Sequence, residues 1–330
     1  MSQKHNAALA GLAVSPSGAL LPDPACWAGF RYDQCCGKAF GPAGNLECWN
    51  ATFTPERCCV KERLLQASKT PCQCCNRSHL NPVGSISEVV EKLGVLVFFD
   101  ALTLSAGWLR KAYPRWEPRT FSVFQRFARG TVLDVGAWIG VTAIWEANIA
   151  EHVFAVEPTP TSVCELRANL NVNPARVSRR VTIIHGALHN ESGSIMILNR
   201  GPHADNRPYY GPSRPLLARV PAFTIETLLL QYPRLREVSF VKIDVEGHEL
   251  ALVPAMRFFF KEYKPVVFLS LHPKFIGDRL VRRVATAMRG IFPYLYEADM
   301  KTPFNTRRFT FFGSVEDHFG TDLLATWHPL

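Results

Sequence analysis

"VLDVGAWIG", residues 132–140, is a short buried-strand run that breaks into a turn carrying Gly136 and Gly140, with Asp134 just ahead of them. An apolar β-branched run ending in glycines opens a strand–turn–helix unit, and its glycines mark places where backbone is approached too closely for a side chain. Outward from it the chain alternates apolar runs with helical stretches: "TVLDV", "VTAIWEANIA", "HVFAVE", "SVCELRANLNVN", "VTIIHG", "FTIETLLLQY", "VSFVKIDV", "HELALVPAMRFFFKE" and "PVVFLSLH". This alternation predicts an α/β domain over residues 131–330, a doubly wound sheet of parallel strands with crossover helices. Ligands of such sheets gather at the carboxyl ends of the strands, where strand order reverses.

Asp134, Gly136 and Gly140 fall at the first such end, and Glu157 closes the second strand 23 residues after Asp134. An acid there accepts hydrogen bonds from both hydroxyls of a ribose, each worth ~1.5–3 kcal/mol for a charged partner. The G-x-x-x-G spacing differs from the G-x-G-x-x-G of a pyrophosphate turn, and an acid at this place repels a diphosphate but attracts a sulfonium. The residues therefore favour S-adenosylmethionine over NAD. Its methionine part is expected against the backbone of Gly136, Ala137, Trp138 and Gly140, with Asp134 at its cationic end. A tight turn with no ligand is the alternative.

The same blocks, "VLDVGAWIG", "VFAVEPTPTSVCELRANLNVN", "VTIIHGALHNESGSIMI", "VPAFTIETLL", "VSFVKIDVEGHELALVPAM" and "KPVVFLSLHP", resemble in order and spacing those of the FkbM-type methyltransferases over residues 131 to about 275. E-P-x-P and K-I-D-V-E-G-x-E are specific in combination, whereas the glycine turn alone is weak. The resemblance implies a class I methyltransferase fold, a Rossmann-like seven-stranded sheet with an antiparallel last strand, and methyl transfer from S-adenosylmethionine to oxygen. It assigns cofactor binding to Asp134, Gly136, Gly140, Glu157 and Pro158, with Ala187 and Leu188 near the adenine. It places Lys242, Asp244, Glu246, Gly247 and Glu249 in the block after the fourth strand. Two positions depart from it: Trp138 stands where a small amide is usual and is expected to stack over the cofactor, and Ser270 stands where an acid is common. "YLYEADM" and "RRFTFFG" are expected to form the closing hairpin.

An alcohol loses its proton as it attacks a methyl group, so a nearby base helps. Asp244, at the strand end nearest the expected methyl, is the first candidate for base and also belongs to the cofactor site; His248 and His272 follow. Asp244 as a cap of the next helix is the alternative. A divalent cation held by Asp244, Glu246, Glu249 and His272 is the less favoured arrangement.

Nine of the ten cysteines lie between residues 26 and 75, in "CWAGFRYDQCC", "CWNATFTPERCC" and "CQCC"; the first two form a repeat whose Cys26 and Cys48 are 22 residues apart. Adjacent pairs favour disulfides over zinc, which commonly takes thiolates two to four residues apart. With an odd number of cysteines in the module, one thiol stays free or pairs outside it. A structural cap is the favoured reading of this module; a glycan- or protein-binding face built on Trp27 and Trp49 is the other. The expected organisation is a flexible segment over 1–23, the cysteine module over 24–80, linking helices over 81–130 and the methyltransferase-like domain over 131–330. Within the linker, "SISEVVEKLGVLVFFDALTLSAGWLRKAYP" is expected to be helical from a Ser85–Glu88 capping box to Pro114, and "RTFSVFQRFARG" to be a second helix closed by Gly130.

The hydrophobic content of 47% suits a globular chain, and a net charge of +9 from scattered bases reads as a solvated face. The expected partner is therefore a small-molecule or glycan acceptor, with no nucleic acid and no membrane span. Sequons at Asn50, Asn76 and Asn190 favour the lumen of the secretory pathway over the cytoplasm. The loop "NRGPHADNRPYYGPSRP", residues 199–215, is read either as an acceptor lid or as a surface insertion. A non-catalytic binding protein on a relic methyltransferase fold is the alternative function.

Overall fold

The computed structural model describes residues 87–103, 105–199, 216–305 and 322–330, all within the unit Cys72–Leu330. The expected flexible segment, the cysteine module with Trp27 and Trp49, the sequons at Asn50 and Asn76, Ser85 with its capping box, and residues 200–215 lie outside the described residues.

In chain order the elements are β1 (Ser87–Lys92), β2 (Val95–Asp100), α1 (Ala106–Lys111), α2 (Pro118–Phe127), β3 (Thr131–Val135), α3 (Ala143–Glu146), β4 (His152–Glu157), α4 (Pro160–Asn171), α5 (Ala175–Ser178), β5 (Val181–His185), β6 (Ala187–Leu188), β7 (Gly193–Asn199), β8 (Leu216–Phe223), α6 (Ile225–Gln231), β9 (Val238–Ile243), α7 (Glu249–Ala255), α8 (Arg257–Tyr263), β10 (Val266–Ser270), α9 (Pro273–Arg289), β11 (Tyr294–Glu297) and β12 (Asp322–Thr326). A seven-stranded sheet runs β5-β4-β3-β9-β10-β12-β11, parallel from β5 to β10, with β12 antiparallel to both its neighbours. The antiparallel last strand is the one expected. β11 lies in the expected "YLYEADM", but its partner is Asp322–Thr326; "RRFTFFG" falls outside the described residues.

Both sheet faces are covered, which is why the strands read as continuous apolar runs. Alternation sends Leu133, Val135, Phe154, Val156, Val241, Ile243, Val267 and Leu269 to one core and Val132, Val153, Ala155, Phe240, Phe268 and Leu324 to the other. The same period of two places Asp134, Glu157, Lys242, Asp244, Ser270 and Asp322 on the second face. Strand parity thus gathers these six polar residues on the side packed by α2, α3 and α4.

The linker departs from the helical expectation. Ser87 to Asp100 form a hairpin, β1 against β2 in antiparallel register with Lys92 opposite Val95. The apolar run fits a helical stripe and a strand equally well, and the tie is broken by the two-residue turn Leu93-Gly94, whose φ values of 48° and 75° belong to the mirror-image turn that matches strand twist. Val90, Lys92, Val97 and Phe99 point inward, while Val89 and Leu96 face solvent. The outer edge of β2 is capped by side chains: Asn173 accepts from the Phe98 N–H and donates to its carbonyl, and Asn169 accepts from the Asp100 N–H. Pairing an edge in this way removes a template for aggregation. The second linker helix is α2, with Phe121 and Phe124 buried and Gly130 beyond its end at φ 61°.

Candidate active site

The order of the sheet reverses between β3 and β9, so the turns after these two strands face one crevice. Both turns hold residues in the left-handed region: Gly136, Trp138 and Gly140 after β3, Glu246 and Gly247 after β9. Trp138 and Glu246 are not glycines, and strained backbone of this sort concentrates at functional sites.

The glycines are required by the protein itself. A Cβ on Gly136 would stand 1.8 Å from the Asp244 carbonyl oxygen, and one on Gly140 would stand 2.3 Å from Leu166 Cδ1. The close approach is therefore turn against turn and turn against α4. The Gly136 and Ala137 N–H groups donate to the Val156 carbonyl, which ties the turn to β4.

Asp134 is 0% exposed and turned inward. Its Oδ1 lies 2.9 Å from Lys242 Nζ across the β3–β9 register, and its Oδ2 accepts from Thr142 Oγ1 at 2.6 Å. Lys242 Nζ also donates to the Gly136 carbonyl at 2.7 Å and lies 3.7 Å from Asp244 Oδ2. Burial alone would lower the Lys242 pKa, but Asp134 and then Asp244 hold it well above its ordinary range. Asp134 thus anchors Lys242 beneath the crevice, and Asp244, with a quarter of its side chain exposed, is the acid that reaches it.

Asp244 and His272 come together as expected. His272 Nε2 is 3.2 Å from Asp244 Oδ1, and its Nδ1 is 2.6 Å from Oε1 of the fully buried Glu249. Burial works against the imidazolium, yet the two carboxylates push His272 up to about 11. Burial also works against the Asp244 charge, but Lys242 and His272 bring it down to about 2. At neutral pH the two therefore form a standing ion pair, and neither is poised to take a proton. His248 does not join them. Its ring stacks on His189 with centroids 4.8 Å apart, and burial followed by His189 lowers its pKa. Glu246 is exposed, and among the described residues no group of three or more His, Cys, Asp or Glu is arranged to hold a metal ion.

Glu157 ends β4 with its carboxylate held by backbone: Oε2 accepts from the Trp138 N–H at 2.9 Å and Oε1 from the Thr159 N–H at 2.7 Å. Burial raises its pKa against these hydrogen bonds and Lys242. Pro158 follows it, partly exposed. Directly opposite Glu157 in the β4–β5 register is His185, which is hydrogen-bonded to the Pro158 backbone and whose buried Nε2 has no hydrogen-bond partner among the described residues. Ala187 and Leu188 form β6, buried and paired in parallel with β8.

The family model for the methyltransferase FkbM domain matches residues 134–298, half of the chain. The chain belongs to the FkbM methyltransferase family. Its E-P-x-P segment turns from β4 into α4, and its K-I-D-V-E-G-x-E segment runs from β9 into α7. Among solved structures it is similar to the FkbM methyltransferase of Methylobacillus flagellatus, at 18% identity over 60% of this chain and 44% of that one, TM-score 0.37. It is also similar to the T. thermophilus 16S rRNA N2 G1207 methyltransferase solved with AdoMet and guanosine, at 16% identity over 75% of this chain and 52% of that one, TM-score 0.36. A third is the glycopeptide N-methyltransferase MtfA in complex with S-adenosylmethionine, at 18% identity over 46% of this chain and 48% of that one, TM-score 0.29. The chain thus spans less than half the length of the first and third of these. No curated protein matches it.

In this FkbM-family chain four further residues that bear electrostatically or by register on these groups or on one another have no motif signal ahead of the fold: Lys92, Glu117, His185 and Asp322. Glu117 precedes α2 and lies within electrostatic reach of Asp244 and Asp322. Trp108, Trp116 and Trp138 form a half-buried aromatic wall beside it, with Trp108 5.4 Å from Trp116 and 5.1 Å from Trp138 between ring centroids.

Proposed function

We propose that this chain is an S-adenosylmethionine-dependent O-methyltransferase whose acceptor offers a hydroxyl on a sugar, glycan or comparable metabolite. The observation that carries the donor is the pair Glu157 and His185 at adjoining strand ends, one a carboxylate with lone pairs to spare and the other with an orphaned buried nitrogen. Such a pair matches a ribose and its adenine, and the buried, unsatisfied Nε2 is a polar group that a ligand would satisfy. Asp244, a quarter exposed where Asp134 is buried, is the acid we assign to the cationic end of the donor. When bound, the donor supplies an electrophilic methyl group on a good leaving group, so most of the protein's contribution is alignment, for which ~7–11 kcal/mol is available. The Asp244–His272–Glu249 row fixes charge at the crevice and orients the acceptor.

The acceptor reading is supported by the tryptophan wall, whose faces suit the apolar side of a sugar ring, beside carboxyl groups that suit its hydroxyls. Calorimetry with S-adenosylmethionine tests the donor. Wild type is expected to bind saturably, and Glu157→Ala to weaken binding by about 10- to 100-fold through the loss of one or two charge-assisted hydrogen bonds. Unchanged affinity in the variant refutes the donor site, and absence of any saturable binding favours the relic-fold alternative. Transfer of labelled methyl to a panel of methyl glycosides and amines then separates oxygen from nitrogen acceptors.

A further inference from the structure

Bases scattered along the sequence are brought together in one place by the fold. Between α7, α8 and α9 lies a groove of about 540 Å³ whose polar lining is Arg257 from α8 and Arg282, Arg283 and Thr286 from α9, over an apolar floor that includes Pro254 and Ile291. Its position follows from the topology. β9 and β10 are parallel, so α7 leaves the carboxyl edge of the sheet and α8 returns the chain to the amino edge, where β10 starts. α9 makes the same descent from His272 to Gly290, because β11 runs parallel to β10, each being antiparallel to β12. The half of α9 that lines the groove lies beyond the break in helical geometry at Gly277, away from the strand ends that bear Glu157 and Asp244.

The local sequence gives the groove its walls. Pro254 has no N–H to offer a helix, and α7 stops one residue after it; Met256 is the joint from which α8 restarts with Arg257. On α9, Val281, Val284, Ala285 and Met288 pack into the core, so the helical period sends Arg282, Arg283 and Thr286 outward.

Helix dipoles do not account for these arginines. A base is favoured in the last turn of a helix, and that place on α9 is filled by Arg289, which donates to the Phe304 carbonyl. Arg257 opens α8, the end at which a cation is disfavoured, and the first turn there has no acid to offset it. Ion pairing does not account for them either. No Asp or Glu lines the groove, and among the described residues neither Arg257 nor Arg283 is in an ion pair, unlike Arg110 with Glu88 or Arg234 with Glu151. Three guanidiniums thus repel one another across a concave wall, and an anion between them would relieve that repulsion.

We infer that this groove is a second binding site, for a phosphate-bearing small molecule. Guanidinium forks match phosphate oxygens two at a time. Thr286 Oγ1 donates its proton to the Arg282 carbonyl at 2.7 Å, which leaves its oxygen to accept from a hydroxyl of the ligand. The volume falls within the ~300–1,000 Å³ of small-molecule sites, and concavity suits a compact anion better than a flat lipid surface. The site is independent of the methyl-transfer reading, since no residue of the crevice lines it.

The test is equilibrium dialysis of the full chain against pyrophosphate at about 0.15 M salt, where scattered surface charge is largely screened. Wild type is compared with the double variant Arg257→Gln, Arg283→Gln and with a control of equal charge, Arg129→Gln, Arg236→Gln. Wild type is expected to bind saturably, the groove variant at least about 10-fold more weakly, and the control as wild type does. Absence of saturable binding to wild type, or equal weakening in the control, overturns the site. Thermal unfolding checks the fold of each variant: pyrophosphate is expected to raise the Tm of wild type and control but not of the groove variant, and an equal rise in all three overturns the site. If the double variant does not fold, Arg283→Gln alone carries the same comparison. Vesicles of phosphatidic acid in phosphatidylcholine separate a headgroup from a free phosphate, and cosedimentation with them in a wild type that ignores pyrophosphate overturns the small-molecule ligand. Affinity for S-adenosylmethionine is expected to be unchanged in the groove variant, so a failure of the donor site shows separately.

Discussion

Replacing Lys242 by methionine is the sharpest probe of the charge network under the crevice. The lysine is 3% exposed and its partner Asp134 0%. At their 2.9 Å separation the Coulomb attraction is about 6 kcal/mol for an effective dielectric constant of about 20, much of it offset by desolvation. Methionine fills most of the volume but leaves the buried Asp134 carboxyl without its cationic partner, with Thr142 as its remaining polar contact among the described residues, and removes the donor to the Gly136 carbonyl. Breaking one side of a buried pair costs roughly 3–5 kcal/mol. Urea unfolding followed by circular dichroism should show a loss of that size. Adding Asp134→Asn removes the orphaned charge, so the double variant should recover about 1–3 kcal/mol of it. A single-variant loss below about 1 kcal/mol, or a double variant less stable than the single by the full cost of a second substitution, would refute the reasoning.

Gly136→Ala sets a Cβ 1.8 Å from the Asp244 carbonyl at φ +83°, so a loss of more than about 3 kcal/mol and a displaced Asp244 are expected, read by thermal unfolding and a crystal structure. His272 is raised from 6.5 to about 11, so its contribution to stability is complete below pH 6.5 and is lost as pH rises toward 11. Asp244 is lowered from 3.8 to about 2, so its contribution is present above pH 3.8 and lost as pH falls through 2. Wild type should therefore lose more melting temperature than His272→Gln between about pH 7 and 10, and parallel curves would contradict the imidazolium. Leu93→Asn, at φ 48° in the exposed hairpin turn, should stabilise by about 0.5–1 kcal/mol, measured as a rise in Tm.

Much of the edge was readable as period and motif. Asp134, Glu157, Lys242 and Asp244 each follow an alternating apolar run, so their strand ends and their common face follow from counting by two. Their partners were not readable in this way. Asp134 next to a glycine turn looks like a ligand's acid until β9 is laid beside β3 and Lys242 takes its charge. Gly136 faces the Asp244 carbonyl in the fold, a contact that its local spacing does not encode. The hairpin is not legible locally because "VLVFF" satisfies both periods, and only its turn chemistry and the asparagines of "ANLNVN" tie it down as an edge strand.

Composition, period and spacing by themselves determined the class of fold and the strand ends where polar residues gather, because these are properties of residues near one another in the chain; the family followed from the resemblance of the motif blocks. The tertiary structure alone decided which acid is silent and which reaches the crevice. Asp134 is silenced by Lys242 on β9, and Asp244 is paired with His272 after β10; those partners come from other strands, which local pattern does not encode.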